Sequence, residues 1–469
     1  MSRTNHPLEP GRLQLEALTR AVADFVVEQV ATLAEQPSFD LDGVEAVRAG
    51  LREPAPEHGR PIEEVLDRLR PALAKSYNSA GPGYLAYVPG GGVYAAALGA
   101  LIASATNRYV GVTAPAPALA QIEQSVTEWL CALMGLPEGA QGLLTSGGSL
   151  SNFSAIVAAR QERLGDELAG GTIYYSTQTH YCVAKAACLA GFPRAALRAL
   201  PVDERFRLRS DALEAALRED RARGRRPFLL VANVGTTNTG AIDPLPELRR
   251  IADENGLWLH GDAAYGGFFR LAPGGEQLLR GVEACDSITL DPHKGLFMPY
   301  GVGALLVRDG RALARAHRGS ADYVQDVAFE GSLGFADLSP ELSRDFRGLR
   351  VWLPLQLHGL AAFRAQLGEK LALARAAYEQ LASDPRFVLF DEPQLSVVAF
   401  RLRAPASDAD RLSAELLRRV NERRRVFLSS TRLLGRYALR ICVLSFRTHE
   451  DRVQDAVAAL REEAKALLG

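Results

Sequence analysis

Lysine is scarce in this chain, and one lysine stands where an amine nucleophile could act. The 469 residues include only five lysines, at positions 75, 185, 294, 370 and 465. Lys294 occurs in Asp-Pro-His-Lys-Gly, directly after an apolar run at residues 287–290 that predicts a strand. A lysine there is a candidate for Schiff-base formation with a carbonyl compound, which needs a desolvated, partly deprotonated amine. The alternative is an ordinary solvated loop lysine.

A carboxylate in a similar position adds a second chemical group. Asp262 lies in His-Gly-Asp-Ala-Ala-Tyr, where it closes the predicted strand that begins at residue 257. An aspartate paired with a pyridine nitrogen keeps that nitrogen protonated, and the ring then becomes an electron sink for a carbanion. Ala264 is small enough for a flat ring to lie on it. The alternative is that Asp262 caps the start of a helix.

A glycine turn supplies a candidate anion site. Gly147, Gly148 and Ser149 precede a predicted helix, so backbone N–H groups and the helix dipole would face an anion there. We expect these three residues to cradle a phosphate group. The turn matches neither a P-loop nor GxGxxG, which argues against a nucleotide. A glycine turn without any ligand is the alternative.

The elements that must position these groups form an alternating pattern between residues 93 and 350. Short apolar runs predict strands at 172–176, 228–234, 257–260, 287–290 and 304–307. Helical stretches such as 211–223 and 245–255 separate most of them. This alternation predicts an α/β domain with a mostly parallel sheet covered by helices on both faces. Ligands of such sheets bind at the carboxyl ends of the strands.

The two ends of the chain have different patterns. Residues 1–92 carry short helices that could not form a large core, so we expect them to pack on the main domain or on a second subunit. Residues 351–469 predict a smaller α+β domain with a long helix at about 352–382. Its other predicted elements are strands at 396–402 and 437–444 and helices at about 409–420 and 449–468.

Composition excludes several classes of function. With 54 Lys and Arg against 55 Asp and Glu, the net charge is −1, which argues against nucleic acid or an anionic membrane as a partner. The five cysteines form no CxxC pair, so neither a disulfide framework nor a metal site is indicated, and a cytoplasmic location is expected. The uncharged stretch at about 93–105 is shorter than the roughly 20 residues of a membrane span. We expect it to form a buried helix.

Taken together, these motifs resemble the pyridoxal-phosphate enzymes of the aspartate-aminotransferase fold, fold type I. More narrowly, the chain resembles the group II amino-acid decarboxylases, the family of aromatic-amino-acid and glutamate decarboxylases. The resemblance extends from about residue 85 to 447. It rests on Pro292-His293-Lys294, Thr179-His180, Val234-Gly-Thr-Thr-Asn-Thr-Gly240 with Asp243, His260-Gly-Asp-Ala-Ala-Tyr265 and Arg344-Asp-Phe-Arg-Gly-Leu-Arg-Val-Trp352. It implies pyridoxal 5'-phosphate as cofactor and a homodimer with active sites at the interface.

The resemblance also implies roles for residues around the cofactor. Lys294 would hold it as a Schiff base, and Asp262 would pair with its pyridine nitrogen. Ala264 would lie beneath the ring and His180 would stack on its opposite face. His293 would contact the phosphate. Thr237 and Asp243 match family residues on a loop near the cofactor, although turn and cap chemistry would also explain Asp243.

For the reaction, the resemblance implies loss of CO₂ from an L-amino acid, followed by protonation of Cα. Tyr323 matches the tyrosine that the family uses as proton donor. Tyr87 and Pro89 match the family's substrate-pocket turn, and Arg447 could face a substrate carboxylate or simply cap a helix. His260 more plausibly has a structural role.

Two features bear on the substrate and on alternative activities. Gly295 stands where aromatic decarboxylases usually carry Trp, which leaves the choice of substrate open. The apolar turn around Tyr87 nevertheless favours an aromatic amino acid over an acidic one. The alternatives are another activity on the same fold, such as an aminotransferase or an aldehyde synthase, and a non-catalytic homologue that binds the cofactor.

Overall fold

The structure, a computed structural model, describes residues 8–317, residue 319 and residues 334–469. Within these residues a seven-stranded sheet and a four-stranded sheet are covered by helices. This is the predicted α/β architecture of fold type I, with a small C-terminal α+β unit, and the fold prediction is confirmed. Tyr323, the expected proton donor, lies outside the described residues.

The helices of the described residues run in chain order as follows. They are α1 (Arg12–Ala31), α2 (Val44–Gly50), α3 (Ile62–Ala74), α4 (Tyr94–Thr106), α5 (Pro117–Leu133), α6 (Gly148–Leu164), α7 (Tyr181–Leu189), α8 (Ser210–Ala222), α9 (Leu245–Asn255), α10 (Gly275–Leu278), α11 (Pro292–Gly295), α12 (Arg311–His317), α13 (Gly348–Ala382), α14 (Ala409–Glu422) and α15 (Glu450–Leu468).

The strands form two sheets. They are β1 (Gln141–Thr145), β2 (Gly171–Ser176), β3 (Leu197–Leu200), β4 (Arg226–Asn233), β5 (Trp258–Asp262), β6 (Ser287–Leu290), β7 (Gly303–Val307), β8 (Phe387–Leu389), β9 (Val397–Leu402), β10 (Ser429–Leu433) and β11 (Arg436–Cys442). The large sheet has the order β1-β7-β6-β5-β4-β2-β3, and the small one has the order β10-β11-β9-β8.

Parallel pairing in the large sheet decides where the candidate residues meet. Strands β2, β3, β4, β5 and β6 pair in parallel, and in the described part of the large sheet β7 is antiparallel to both of its neighbours, β1 and β6. The side chains of β5 and β6 are buried along their whole length, as expected for a sheet covered on both faces. Asp262 ends β5 and Lys294 follows β6, so both lie at the same edge of the sheet.

The sequence predicted most of these elements but missed some. The five predicted strands and the two named helices of the large domain are present within two or three residues of the expected bounds. Strands β1 and β3 were not predicted, because each is short and lies close to glycine or proline. The long C-terminal helix begins at Gly348 rather than Trp352 and is interrupted at Gly359, whose φ of 69° is not helical.

The segment between α1 and α2 packs on the small C-terminal unit. The Ser38 N–H donates to the carbonyl of Arg424 at 2.8 Å, and Arg452 donates to the carbonyl of Ala34 at 2.7 Å. The ring of Phe39 lies 5.2 Å from that of Phe427. Residues 34–39 therefore contact the small C-terminal unit, which the sequence analysis did not anticipate, whereas packing of the helices on the main domain or on a second subunit stays a prediction.

Helix α4 differs from the expectation of a buried helix. It packs along α13, and Ala95, Ala96 and Gly99 are buried. Leu101 and Ile102 are 57% and 47% exposed in the single chain, because nothing in the described residues covers that side of the helix. None of the helices in the described ranges is long and apolar enough to cross a membrane.

A buried ion pair joins three elements behind the glycine turn. Glu123 on α5 and Arg344 have fully buried side chains and bond to each other. Arg344 also donates to the carbonyl of Leu144 on β1 at 2.7 Å, and Glu123 accepts from the N–H of Gly348 at 2.9 Å. The pair therefore connects the first turn of α13 to the strand that leads into Gly147.

We expect Glu123→Gln to destabilise the protein by about 3 kcal/mol, because it leaves the Arg344 charge buried without a carboxylate. Urea unfolding of purified protein would measure this change. Glu128→Gln is the matched control: Glu128 is exposed on the same helix, so its change should stay within about 0.5 kcal/mol. Equal effects of the two substitutions would contradict a special role for the buried pair.

Candidate active site

A cavity of about 360 Å³ opens at the edge of the large sheet where the parallel strands end. Its volume is within the range of small-molecule sites. The described residues that line it are Ser146, Gly147, Gly148, Ser149, Asn152, His180, Cys182, Asn233, Gly235, Thr236, Thr237, Asp262, Ala264, Tyr265, Asp291, His293, Lys294, Tyr300 and Gly301. The three sequence motifs that begin at the glycine turn, at Asp262 and at Lys294 therefore meet in one cavity.

Lys294 points its amine at a buried carboxylate. The distance from Lys294 Nζ to Asp291 Oδ2 is 2.8 Å, and the Asp291 side chain is only 2% exposed. Burial alone would lower the pKa of Lys294, but the nearby Asp291 and Asp262 carboxylates outweigh it, and the pKa is raised. In this arrangement Asp291 therefore favours the ammonium form of Lys294.

The same carboxylate faces the glycine turn. Gly147 has φ of 155°, and a Cβ on Gly148 would lie 3.1 Å from Asp291 Oδ2 and 3.3 Å from the Ala264 Cβ. Asp291 Oδ1 is buried and has no hydrogen-bond partner in the described part of the chain. Glycine at both positions therefore keeps open a narrow space next to the first turn of α6, where N–H groups are free to meet an anion.

Asp262 is supported from behind by an ordered series of polar side chains. Asn152 Nδ2 donates to Asp262 Oδ2 at 3.4 Å, and Asn152 Oδ1 lies 2.7 Å from His260 Nε2. His260 Nδ1 lies 2.7 Å from Ser287 Oγ, which accepts from Trp258 Nε1 at 2.7 Å. We call Asn152, His260, Ser287 and Trp258 the Asn152 relay. Because the indole can only donate, every hydrogen bond of the relay can be oriented toward the carboxylate.

Burial sets the protonation states around this relay. It lowers the pKa of His260 to about 3, so the ring is neutral and carries one proton. Burial also raises the pKa of Asp262, against the opposing effect of Lys294. A neutral His260 whose Nδ1 accepts from Ser287 must donate from Nε2 to Asn152, which leaves the Asn152 amide free to donate to Asp262.

His180 and Ala264 both line the cavity. His180 is the N-cap residue of α7, where its Nδ1 accepts from the N–H of Cys182 at 3.3 Å. That bond leaves the proton on Nε2 in the neutral ring. Burial lowers the pKa of His180, so a neutral imidazole faces the cavity. Ala264, two residues after Asp262, is buried and offers only a methyl group.

The remaining cofactor residues from the sequence analysis divide into two groups. His293 and Thr237 line the cavity, and the His293 Nδ1–H donates to the carbonyl of Val302 at 2.7 Å. Asp243 does not line it. Its buried carboxylate accepts from the N–H groups of Leu208 and Asn233, so it joins the end of β4 to the segment before α8.

The proposed substrate residues are arranged differently from the cofactor residues. Tyr87 and Pro89 are not among the residues that line the cavity, and Tyr87 is 59% exposed. Arg447 donates to the carbonyls of Ala80 and Gly91 rather than capping a helix or pairing on the surface. Tyr300, which the sequence analysis did not single out, does line the cavity and is exposed at its opening.

Two lining residues missed by the sequence analysis had a detectable signal. Asn152 occurs four residues after Gly148, one turn into α6, where a helix that starts at the glycine turn points back to the cavity. Asp291 belongs to the lysine motif itself, three residues before Lys294, and this spacing brings both side chains to one side of α11. His260 was expected to be structural, yet it touches the residue that binds Asp262.

Gly295 has a local explanation. A Cβ at this position would lie 2.7 Å from the Cβ of Phe268, and the buried Phe268 ring fills the adjacent space. Any larger side chain at residue 295 needs Phe268 to move. At the position where aromatic decarboxylases usually carry Trp, this chain therefore has Gly295, with the large Phe268 side chain packed against it.

Known proteins resemble the chain over nearly its whole length. The model of the pyridoxal-dependent decarboxylase conserved domain matches residues 45–403. Aromatic-L-amino-acid decarboxylase of Bacillus atrophaeus is 32% identical over 460 residues, with 96% of each chain covered. Phenylacetaldehyde synthase of Arabidopsis thaliana is 30% identical, with 97% of this chain and 96% of that protein covered. The crystal structure of Oryza sativa TDC with PLP and tryptamine has a TM-score of 0.94 at 27% identity, covering 99% of this chain and 100% of that one.

The cavity offers the groups that pyridoxal phosphate needs. Lys294 supplies a primary amine for the aldehyde, and the buried Asp262 supplies a carboxylate for a protonated pyridine nitrogen. Gly147 and Gly148 leave the space that Cβ atoms would fill at the start of α6, which suits a phosphate. The Asp291 carboxylate is the exception, because its negative charge would lie near the negatively charged phosphate. The donor set as a whole fits the cofactor.

We expect acid to destabilise the protein through His260. The ordinary histidine pKa applies in the unfolded chain, whereas burial holds the pKa at about 3 in the folded one, so protonation favours unfolding as pH falls below 6.5. From pH 7.5 to pH 5 this group should cost about 2 kcal/mol of unfolding free energy. His260→Gln should remove that share of the pH dependence, as measured by urea unfolding at both pH values. His358→Gln, at an exposed position, should leave it unchanged.

Proposed function

The chain belongs to the pyridoxal-dependent decarboxylase family, and on that premise we propose that its substrate is an aromatic L-amino acid. Pyridoxal phosphate is its cofactor, and the protein is an amino-acid decarboxylase that releases CO₂. The choice of an aromatic side chain is our proposal. The observation that carries it is the composition of the cavity wall.

No arginine occurs among the described residues that line the cavity, and its cationic side chain is Lys294, which the cofactor requires. An acidic substrate side chain would thus lose its hydration without gaining a fixed cation, which is costly. A flat apolar side chain meets Tyr300 at the opening instead. The relatives named for aromatic amino acids support the same choice, since they include an aromatic-L-amino-acid decarboxylase and a tryptophan decarboxylase.

The roles of the chain's own residues follow from their positions. When bound, pyridoxal phosphate supplies a conjugated cationic ring that accepts the electron pair left at Cα as CO₂ departs. We assign Asp262 the task of keeping the ring nitrogen protonated, with the Asn152 relay holding the carboxylate in position. Lys294 would hold the cofactor covalently until the substrate amine replaces it.

The other cofactor contacts are assigned on the same basis. Gly147, Gly148, Ser149 and His293 would bind the phosphate, since they surround the free N–H groups at the start of α6. His180 and Ala264 would cover the two faces of the ring, and Thr237 would contact it from the loop after β4. A neutral His180 suits stacking because it adds no charge against the cationic ring.

Protonation of Cα decides between two products. Tyr323, which lies outside the described residues, is our proposed donor on the strength of the family resemblance alone, and a tyrosine hydroxyl there would give the amine. The second candidate function is an aldehyde synthase, favoured by the 30% identity to phenylacetaldehyde synthase. The two candidates differ in the product, amine or aldehyde, that accompanies CO₂.

We also propose that the protein is a homodimer with its active sites near the interface. Helix α4 exposes Leu101 and Ile102, and α1 exposes Leu13, Leu15 and Val22 in the single chain. Exposed apolar side chains on helices are a feature of subunit interfaces. Because the turn that contains Tyr87 and Pro89 directly precedes α4, a partner packed on α4 would lie close to the cavity.

Incubation of the purified protein with each standard amino acid, followed by assay of CO₂, amine and aldehyde, tests the proposed function. We expect the highest turnover with an aromatic amino acid and the amine as the main product. Preference for glutamate or aspartate would contradict the substrate proposal, and aldehyde in equal yield with CO₂ would favour the second candidate.

Lys294→Ala should abolish turnover, and borohydride reduction of the wild type should fix the pyridoxyl group on the peptide that contains Lys294. Lys185→Ala is the matched control, because Lys185 is exposed on α7 and away from the cavity. It should retain normal turnover and labelling. A label on Lys185, or none at all, would reject the assignment.

Leu101→Arg should weaken the proposed dimer, since it introduces a charge into the exposed apolar side of α4. Sedimentation of the purified protein at micromolar concentration should then show a larger monomer fraction than the wild type, with lower activity. Leu434→Arg is the control, because Leu434 is also exposed but lies on the hairpin of the small sheet. A fully active wild-type monomer would refute the dimer proposal.

A further inference from the structure

Arg440 is a buried arginine whose charge has no carboxylate partner among the described residues. It lies on β11 with only 2% of the residue exposed. Its guanidinium bonds instead to four oxygen atoms, one of them the hydroxyl of Ser429 at 3.0 Å and the others backbone carbonyls. A buried guanidinium normally pairs with a carboxylate, because burying an unpaired charge is unfavourable. Here the guanidinium instead holds backbone carbonyls in position.

One of these carbonyls belongs to Tyr87, whose backbone is strained. Tyr87 has φ of 53°, in the left-handed region that bulky residues rarely adopt. Arg440 Nη2 donates to the Tyr87 carbonyl at 3.1 Å, and the Tyr87 N–H donates to Ser429 Oγ at 3.0 Å. Strain of this kind persists only where surrounding contacts enforce it, and here Arg440 and Ser429 hold both sides of the residue.

The rest of the guanidinium holds the loop that follows β4. Arg440 Nε donates to the Asn238 carbonyl at 2.9 Å, and Nη2 also donates to the Thr237 carbonyl. Thr237 lines the cavity. The Asn238 side chain is fixed as well, since Thr431 donates to it at 2.9 Å. A single side chain from the small C-terminal unit therefore connects the Tyr87 turn to the cavity wall.

We infer that Arg440 is a positioning residue that sets the distance between the substrate turn at Tyr87 and the cofactor loop at Thr237. This inference rests on the proposed function, because the Tyr87 turn has a task only if a substrate side chain reaches it. Arg440 does not itself line the cavity, so its effect passes through the two carbonyls that it binds.

The geometry of arginine is essential to this role. Its planar fork donates from three nitrogens at once: Nε to Asn238, Nη1 to Ser429, and Nη2 to Tyr87 and Thr237. Lysine keeps the charge but carries its three donors on one nitrogen at the end of a flexible chain, so it cannot make all four bonds. Arg440→Lys should therefore behave as a partial loss, and Arg440→Met as a complete one.

Hydrogen exchange of the holoenzyme, followed by mass spectrometry, tests the connection without any substrate. We expect Arg440→Met to accelerate amide exchange in peptides 84–90 and 236–240 together, and Arg440→Lys to do so to a smaller extent. Arg436→Met is the matched control, since Arg436 lies on the same strand and is exposed. Unchanged exchange in either peptide of a folded Arg440→Met protein would overturn the inference.

Kinetics supply the second readout, with the amino acid of highest turnover in the screen above as substrate. Arg440→Met should raise KM about tenfold or more while kcat falls much less, because substrate placement suffers and the reacting groups remain. Arg440→Lys should recover part of the loss. A fall in thermal stability with unchanged KM in the folded enzyme would reduce Arg440 to a structural residue.

The two readouts separate this inference from the proposed function. If the screen selects a non-aromatic substrate, the proposed function fails, yet coupled exchange and a raised KM would still support the role of Arg440. If the screen selects an aromatic substrate but the exchange of the two peptides is uncoupled, the inference fails and the proposed function stands.

Discussion

Buried charge is the constraint on which this active site depends. Asp262 and Asp291 are both almost inaccessible to water, and Lys294 is the ammonium that lies between them in the same cavity. Charges removed from water are tolerated only when they are paired and hydrogen-bonded. The parallel sheet makes this possible, because it ends β5 and β6 side by side, and helix α6 adds the Asn152 amide from above. The glycines at 147 and 148 are needed for the same reason, since they let the helix approach closely.

The small C-terminal unit contributes to the site by donating hydrogen bonds to backbone carbonyls of another segment. None of the described residues that line the cavity belongs to this unit. Arg440 and Arg447 both reach from this unit to carbonyls of the segment between residues 80 and 91. Neither has a carboxylate partner among the described residues, so their hydrogen-bonding capacity is available for these carbonyls. The segment itself contains four glycines and no charged side chain, and it could not fix its own conformation. Its rigidity therefore comes from residues more than 340 positions away in the chain.

The sequence predicted the parts of this protein that carry a local pattern. Strand β6 has its expected bounds, and the motifs around Lys294, Asp262 and Gly147 line one cavity as the parallel topology requires. The sequence could not predict roles that depend on contacts made only in the folded structure. The pairing of Asp291 with Lys294 raises the amine's pKa, although burial alone would have lowered it. Arg440 has no motif of its own, because its acceptors are carbonyls that any residue provides. The exposed side of α4 differed from the expected burial, since apolar composition does not say which surface covers a helix.

The packing of the N-terminal segment on the end of the chain has a consequence for biosynthesis. Residues 34–39 bond to Arg424 and Arg452, and the Leu85 N–H donates to the carbonyl of Phe427. A ribosome makes these partners much later, so residues 34–39 and Leu85 lack these neighbours until residues 424–452 have emerged. Folding of such distant contacts is slow, because a long loop must close before any contact forms. The bond from Arg440 to the Tyr87 carbonyl likewise forms only after residue 440 has emerged. A nascent chain therefore contains every described residue that lines the cavity, up to Gly301, before it contains the residue that holds the substrate turn.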